Sequence, residues 1–204
     1  MKVGTIGTGH IGTALAGPFT RAGHQLKPAN SHAPESLSPL VAELGANASA
    51  GTPQEAADFG DVVVLAVQWG RKESAAASVS SWAGRVSLTP INPLRDDPDG
   101  IEVIDTGGRQ PSEVVASLAP GARLAEGFNT YLDQVLSKDP AVDGRRRAVL
   151  LSGADAEAKR KVAEPALSCG FQPVETGTLA EGGSLFETGG PPAGPRPQLI
   201  ALRR

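Results

Sequence analysis

Only one cysteine, Cys169, occurs among the 204 residues, so the chain forms no intrachain disulfide. Such a composition fits a reducing compartment, and the cytoplasm is the expected location. Positive charge is not in excess either. The 19 lysines and arginines against 22 acidic residues leave a formal net charge of −3, which argues against a dedicated nucleic-acid binder. No apolar run approaches the roughly 18 residues of a membrane span. Lys2 and the small, apolar residues after it resemble the start of a signal peptide. His10 and four glycines interrupt that run, however, so neither a leader nor a membrane partner is expected. The three histidines are scattered and offer no metal-ligand spacing, so no metal is assigned. Cys169, near the end of a predicted helix, reads as a structural thiol rather than a reactive one.

What the chain does have stands at its start. Val3 to Ile6 form a β-type run that leads directly into Gly7-x-Gly9-x-x-Gly12, and an apolar helical pattern (Ile11, Leu15, Phe19) follows. Strand, glycine turn and helix in that order are the dinucleotide fingerprint in its required context. Gly7 permits the tight turn, Gly9 lets backbone approach a pyrophosphate, and Gly12 lets the helix pack close to the strand. The open N–H groups of the helix start then face the anion. Thr8, His10 and Ile11 complete the turn as cofactor-side residues.

The rest of the chain alternates strands and helices. The first helix should end near Ala22, with Gly23 as its stop. A second strand spans 24–29, and Pro28 predicts a strand end or a bulge there. Ser36 to Leu44 reads as a helix, Ala46 to Ser49 as a weak strand, and Thr52-Pro53-Gln54-Glu55 as a capping box opening a short helix. The continuous run Val62–Val67 suits a strand covered on both faces. Further elements are a helix over 72–82, a strand over 85–90, a polar turn over 96–100 and a helix capped by Ser112. A strand over 123–127, a helix over 131–136, a strand over 147–152, a helix over 155–169 and a strand over 171–175 complete the series. Arg145-Arg146-Arg147 reads as a solvated turn. This pattern predicts an α/β fold: a doubly wound, mostly parallel sheet of the NAD(P)-binding Rossmann type, with a short C-terminal extension. The expected division is a dinucleotide-binding domain over 1–181 and a Gly/Pro-rich, loop-like tail over 182–204.

Ligands of such sheets sit outside the carboxyl ends of the strands. NAD-specific folds place a carboxylate there, about 20 residues past the glycine turn, to hold the ribose 2′-hydroxyl. The corresponding segment is Ala29-Asn30-Ser31-His32, with no carboxylate before Glu35. Its absence favours NADP(H): Asn30 and Ser31 can donate to phosphate oxygens, and a protonated His32 would add positive charge. Val67, Gln68 and Trp69 follow the strongest strand, where Trp69 could pack on the ribose or ring or serve as a helix-end lid. Asn92, after the fifth major strand, could bond a nicotinamide-side group or form a turn.

Taken in order, these segments together with Ala66-Val67-x-Trp69-Gly70, Ile91-Asn92-Pro93 and Gly127-Phe128-Asn129-Thr130 resemble a known family. It comprises the NADP oxidoreductases dependent on the deazaflavin coenzyme F420 (NADPH-dependent F420 reductases), in their small actinobacterial-type form. The resemblance runs from Met1 to about Gly190. It implies NADP(H) on the glycine turn and the Asn-Ser segment, and direct hydride transfer between nicotinamide and F420. It also implies an acceptor side near Trp69, Asn92, Asn129 and Thr130. The chain departs from the pattern in four places. His32 stands where arginine is usual, Gln68 where proline is usual, and Thr89-Pro90 where an acidic strand end is usual. The C-terminal helix of longer members is replaced by the Pro-rich tail.

Hydride transfer between two cofactors requires stacking and distance more than protein acid–base groups. The possible proton donors are His10, His24, His32, Tyr131 and several lysines. Tyr131 is the best-placed lone donor, with helix-start packing as its alternative, and no residue is assigned outright as catalytic. Two other readings follow from the departures: NADPH-dependent reduction of a small imine or enone, and a non-catalytic NADP-binding module. The expected partners are small molecules and, to close the open acceptor side, a second copy of the chain in a homodimer.

Overall fold

The computed structural model describes residues 1–186, except Asp99 and Asp143. Its elements are β1 (Lys2–Ile6), α1 (His10–Arg21), β2 (Gln25–Ala29), α2 (Ser38–Leu44), α3 (Pro53–Phe59), β3 (Val62–Leu65), α4 (Lys72–Ala77) and β4 (Val86–Thr89). Then come β5 (Leu94–Asp97), β6 (Gly100–Val103), α5 (Pro111–Leu118), β7 (Arg123–Gly127), α6 (Asp133–Leu136), β8 (Ala141–Val142) and β9 (Arg145–Arg146). The described part ends with β10 (Ala148–Gly153), α7 (Ala156–Ser168), β11 (Gln172–Gly177) and α8 (Leu179–Phe186).

Seven strands form one sheet in the order β11-β10-β7-β4-β3-β1-β2. All neighbours are parallel except β7 and β10. Alternation along β3 shows how the sheet is covered. Val62 and Val64 join Leu15 and Phe19 of α1 in one core. Val63 and Leu65 join Trp69, Trp82 and Val115 in the other. A strand whose successive side chains enter two cores must be apolar throughout, which is why Val62–Leu65 shows no polar alternation. On the second face α3 approaches β1 very closely: a β-carbon on Gly4 would lie 2.0 Å from the Ala56 carbonyl oxygen. The start of α3 is fixed as expected, with Thr52 Oγ1 accepting from the Glu55 amide while the Glu55 carboxylate accepts from the Thr52 amide.

Several local expectations need correction. Pro28 lies in regular register opposite Thr5 with no bulge, and the strand ends one residue later at Ala29, so of the two expectations the strand end holds. Its strand is the sheet edge, and its carbonyl faces outward to the Gly51 amide, so the missing N–H leaves no gap in the ladder with β1. The weak strand over 46–49 is a single bridge between Ala48 and Leu26. The helix expected over 72–82 stops at Ala77, and Trp82 folds back so that its indole N–H donates to the Ala76 carbonyl at 2.9 Å. The polar turn over 96–100 is the tip of a β5–β6 hairpin. Ser112 does not cap α5, which begins one residue earlier at Pro111 behind Gln110. Arg145 and Arg146 pair with β8 in a small hairpin, and Arg147 is buried rather than solvated. Its guanidinium donates to the Val135 carbonyl and lies over the Tyr131 ring. Gly182 to Phe186 are helical rather than loop-like. The Gly189–Pro192 cluster lies outside the described residues.

Candidate cofactor and acceptor site

The carboxyl ends of β1, β2, β3, β4 and β7 open on the same edge of the sheet, and each carries a loop named by the sequence. After β1, Gly7 adopts φ +102°, and a β-carbon on it would meet the Ala66 carbonyl oxygen at 2.2 Å. A β-carbon on Gly12 would lie 2.1 Å from the Gly7 carbonyl oxygen. Both glycines are therefore required by the chain's own packing. Gly9 differs: a β-carbon there meets nothing within 4 Å, and the residue is exposed. As N-cap of α1 it makes no side-chain cap bond. The 12-residue helix thus begins with N–H groups facing outward above an uncrowded glycine, which suits an anion. Thr8 and Ile11 border this opening half-buried. His10 extends from it, 90% exposed, with Nδ1 3.2 Å from the Asp133 carboxylate of α6.

After β2, the loop organises itself around Asn30. Its Oδ1 accepts from the His32 amide at 2.8 Å, and its Nδ2 donates to Ser36 Oγ at 3.3 Å. Asn30 therefore shapes the loop, while the side chains of Ser31 and His32 stay exposed to a ligand. His24, another donor candidate, lies before β2 at the opposite end of the sheet. There Nε2 sits 2.5 Å from Ser168 Oγ, and burial lowers its pKa.

After β3, Val67 is half-buried and Gln68 exposed, but Trp69 is only 8% exposed. The Lys72 ammonium covers the Trp69 ring at 4.1 Å, donates to the Trp69 carbonyl at 3.1 Å and pairs with Glu73 at 2.8 Å. Trp69 opens the short helical turn Trp69–Arg71 with its ring packed in the second core. Tyr131 is likewise buried at 8% exposure, and its hydroxyl donates to the Ala148 carbonyl at 2.6 Å. Burial raises its pKa. The phenol is held by packing and backbone, so its geometry is that of a core residue and not of a proton donor.

The loops after β4 and β7 meet. Asn92 Nδ2 donates to the Asn129 carbonyl at 2.8 Å, and Asn129 Nδ2 reaches Asn92 Oδ1 at 3.4 Å and Glu126 Oε1 at 2.9 Å. Thr130 follows, half-buried. Between Gly127 and Asn129, Phe128 is the one described non-glycine residue with positive φ (+65°). Its ring is anchored edge-on against Phe171 at 5.4 Å. Sequence reading missed Glu126, which is 0% exposed. The available signal was a carboxylate inside the apolar strand Leu124-Ala125-Glu126-Gly127 just before the loop. It also missed Lys72, whose burial depends on its covering the Trp69 ring, and adjacency in sequence does not specify that.

Among the described residues no group of His, Cys, Asp or Glu is arranged to hold a metal, and no helix is long and apolar enough to cross a membrane. A cavity of about 530 Å³ lies at the far end of α1, lined by Arg21, Ser137, Asp139, Ser168 and Cys169 among others. It is remote from the glycine turn. Cys169 there is largely buried, which pushes its thiol up to about 12.

A doubly wound sheet with an open, glycine-turned helix start at its carboxyl edge defines a dinucleotide-binding protein. The model of the family described as "NADP oxidoreductase coenzyme F420-dependent" matches residues 2–93. The hypothetical protein SMa0349 from Sinorhizobium meliloti is 36% identical with a TM-score of 0.87, and the match covers 100% of this chain and 95% of that one. A candidate F420-dependent NADP-reductase from Arthrobacter sp. FB24 has a TM-score of 0.71 at 23% identity, over 88% of this chain and 86% of that one. Metalloreductase STEAP3 of Rattus norvegicus is 29% identical over 180 residues, 88% of this chain; the chain spans 34% of that curated relative's length. The chain belongs to this family of NADP-dependent oxidoreductases.

Proposed function

We propose that the chain binds NADP(H) across the carboxyl edge of its sheet and transfers hydride between the nicotinamide and a deazaflavin (F420) or flavin-like acceptor. The observation that carries the reading is the open space at Gly9, set between two glycines the fold itself requires. Gly7, Thr8, Gly9, His10, Ile11 and Gly12 would hold the pyrophosphate side. The exposed Ser31 and His32 would take the 2′-phosphate, on a loop shaped by Asn30 and free of carboxylates from Ala29 to Pro34. Val67, Gln68 and Asn92 would border the nicotinamide half, and Asn129 and Thr130 the acceptor. Trp69 contributes by supporting the β3 loop from below.

Nicotinamide supplies the hydride chemistry when bound. The chain's task is to bind, orient and exclude water, and the described loops require no acid–base pair for that. F420 as acceptor is supported by the family description; a cytoplasmic location and a homodimer belong to the same proposal. Calorimetric titration with NADPH and NADH is the first test, followed by NADPH oxidation with F420. NADPH bound in preference to NADH, with F420 reduced, supports the reading. Turnover of a cyclic imine but not of F420 would move the acceptor to a small organic substrate. NADPH binding with no turnover of either would leave a binding module, and no binding of either nucleotide would overturn the reading.

A further inference from the structure

Glu126 stands at the carboxyl end of β7, opposite Thr89 of β4 and Ser152 of β10. Its side chain is fully buried. One carboxyl oxygen accepts from Asn129 Nδ2 at 2.9 Å and the other from Ser152 Oγ at 3.3 Å. Buried carboxyl groups are uncommon unless they are paired or hydrogen-bonded. Here the held partner is Asn129, only 8% exposed, whose Oδ1 has no hydrogen-bond partner among the described residues.

A side-chain amide carries a donor end and an acceptor end of nearly equal shape, and local partners decide which way it faces. Glu126 and Asn92 Oδ1 both present oxygen to Asn129, so they draw its NH₂ end and leave its oxygen unspent. Asn92 adds a second constraint by donating to the Asn129 backbone carbonyl. The strained φ of Phe128 and the seating of its ring on Phe171 hold the same turn from the other side. A buried, unpaired acceptor is costly, so one at the mouth of a binding site calls for a partner that arrives there.

We propose that Glu126 is a positioning residue: by holding Asn129 through its NH₂ end, it presets Asn129 Oδ1 as the acceptor for an amide N–H of the ligand ring. Two ligands could supply that donor, the nicotinamide carboxamide and the N–H of a deazaflavin's pyrimidinedione. This inference rests on the NADP(H) reading of the site.

The test compares NADPH with 2′-phospho-ADP-ribose, which lacks the nicotinamide, and with F420, each titrated separately into the full chain. In the wild type, NADPH binds more tightly than the fragment. Asn129→Ala and Glu126→Ala bring NADPH at least fivefold closer to the fragment, whose own affinity is unchanged. Glu126→Gln, whose amide oxygen still accepts from Asn129, restores the difference. If F420 affinity falls fivefold or more instead while the NADPH-to-fragment ratio holds, the preset acceptor serves the deazaflavin. Unchanged affinities for all three ligands in Asn129→Ala overturn the inference, whether or not Glu126→Ala folds. Equal loss of NADPH and fragment would reduce Glu126 to a purely structural role and also overturn it. A wild type that binds neither NADPH nor fragment overturns the nucleotide reading itself, a result distinct from either.

Discussion

Gly12 sits against Gly7 so closely that a β-carbon on Gly12 would lie 2.1 Å from the Gly7 carbonyl oxygen, whereas a β-carbon on the intervening Gly9 would meet nothing within 4 Å. One motif therefore contains two structural glycines and one whose smallness the fold does not use. Gly12→Ala is expected to disrupt the turn and lower the melting temperature sharply. Gly9→Ala is expected to fold with a melting temperature close to the wild type, because the new methyl enters open space. Its NADPH affinity should nonetheless fall by about tenfold or more, since the methyl occupies the approach to the pyrophosphate. Thermal melts and calorimetry on the two variants separate the effects. An unchanged NADPH affinity in Gly9→Ala would contradict pyrophosphate binding at this turn.

Tyr131 supplies a second separable outcome. Its hydroxyl donates to the Ala148 carbonyl inside the core, and burial holds the phenol protonated. Tyr131→Phe removes that bond, leaves the Ala148 carbonyl unpaired, and should cost about 1–2 kcal/mol in a denaturant titration. The turnover number should stay within about twofold of the wild type. A drop of a hundredfold with unchanged stability would restore Tyr131 as a proton donor and with it the organic-substrate reading.

The loop after β2 sets the preference between the two nicotinamide cofactors. Ser31 and His32 are exposed, and the loop's own shape is maintained by Asn30 and the His32 backbone rather than by the imidazole. His32→Arg should therefore leave the loop intact while supplying a permanent, forked donor for the 2′-phosphate. NADPH affinity is expected to rise by about tenfold and NADH affinity to change little. A gain shared equally by both nucleotides would mean that the residue does not face the 2′-position.

The contrast between Gly9 and Trp69 shows which parts of the site could be read in advance. The glycine turn was legible because its requirements are local: a strand, two forced glycines and a helix lie within a dozen residues. The same holds for the Thr52 capping box and for Val62–Leu65, whose unbroken apolarity follows from burial on both faces. Trp69 and Tyr131 were ambiguous because both are amphipathic, and only tertiary neighbours decide whether they face core or ligand. The Lys72 ammonium covers the first, and the Ala148 carbonyl captures the second. The β5–β6 hairpin was hidden because the charged side chains of Arg95, Asp96 and Asp97 look like a turn, although Arg95 pairs with Glu102 across the two strands. Glu126 escaped notice because its partners, Asn129 and Ser152, come from two different elements.

Asp155 couples the fold to pH. Its carboxylate accepts from the Ala158 amide at 2.8 Å as the N-cap of α7 and is paired by Arg123 of β7, with Glu157 joining the same guanidinium. These contacts, with the Arg123 hydrogen bond foremost, lower its pKa from 3.8 to about 2. A carboxylate depressed in the folded state stabilises the protein above its unfolded value and loses that contribution as pH falls through the folded value. The Asp155 contribution should therefore be complete above about pH 5, fall from about pH 4 downward, and be lost only as pH passes below about 2. The group is partly exposed, so salt should weaken the ion-pair part. Asp155→Ala removes both cap and ion pair and should cost about 1 kcal/mol or somewhat more at neutral pH. Asp155→Asn keeps a capping oxygen and should lose less. The gap between both variants and the wild type should narrow toward pH 2, where the wild-type carboxylate is half protonated, and close only below it. Denaturant titrations at neutral and acid pH would check this, and a gap between wild type and Asp155→Ala that did not narrow on acidification would contradict the assignment.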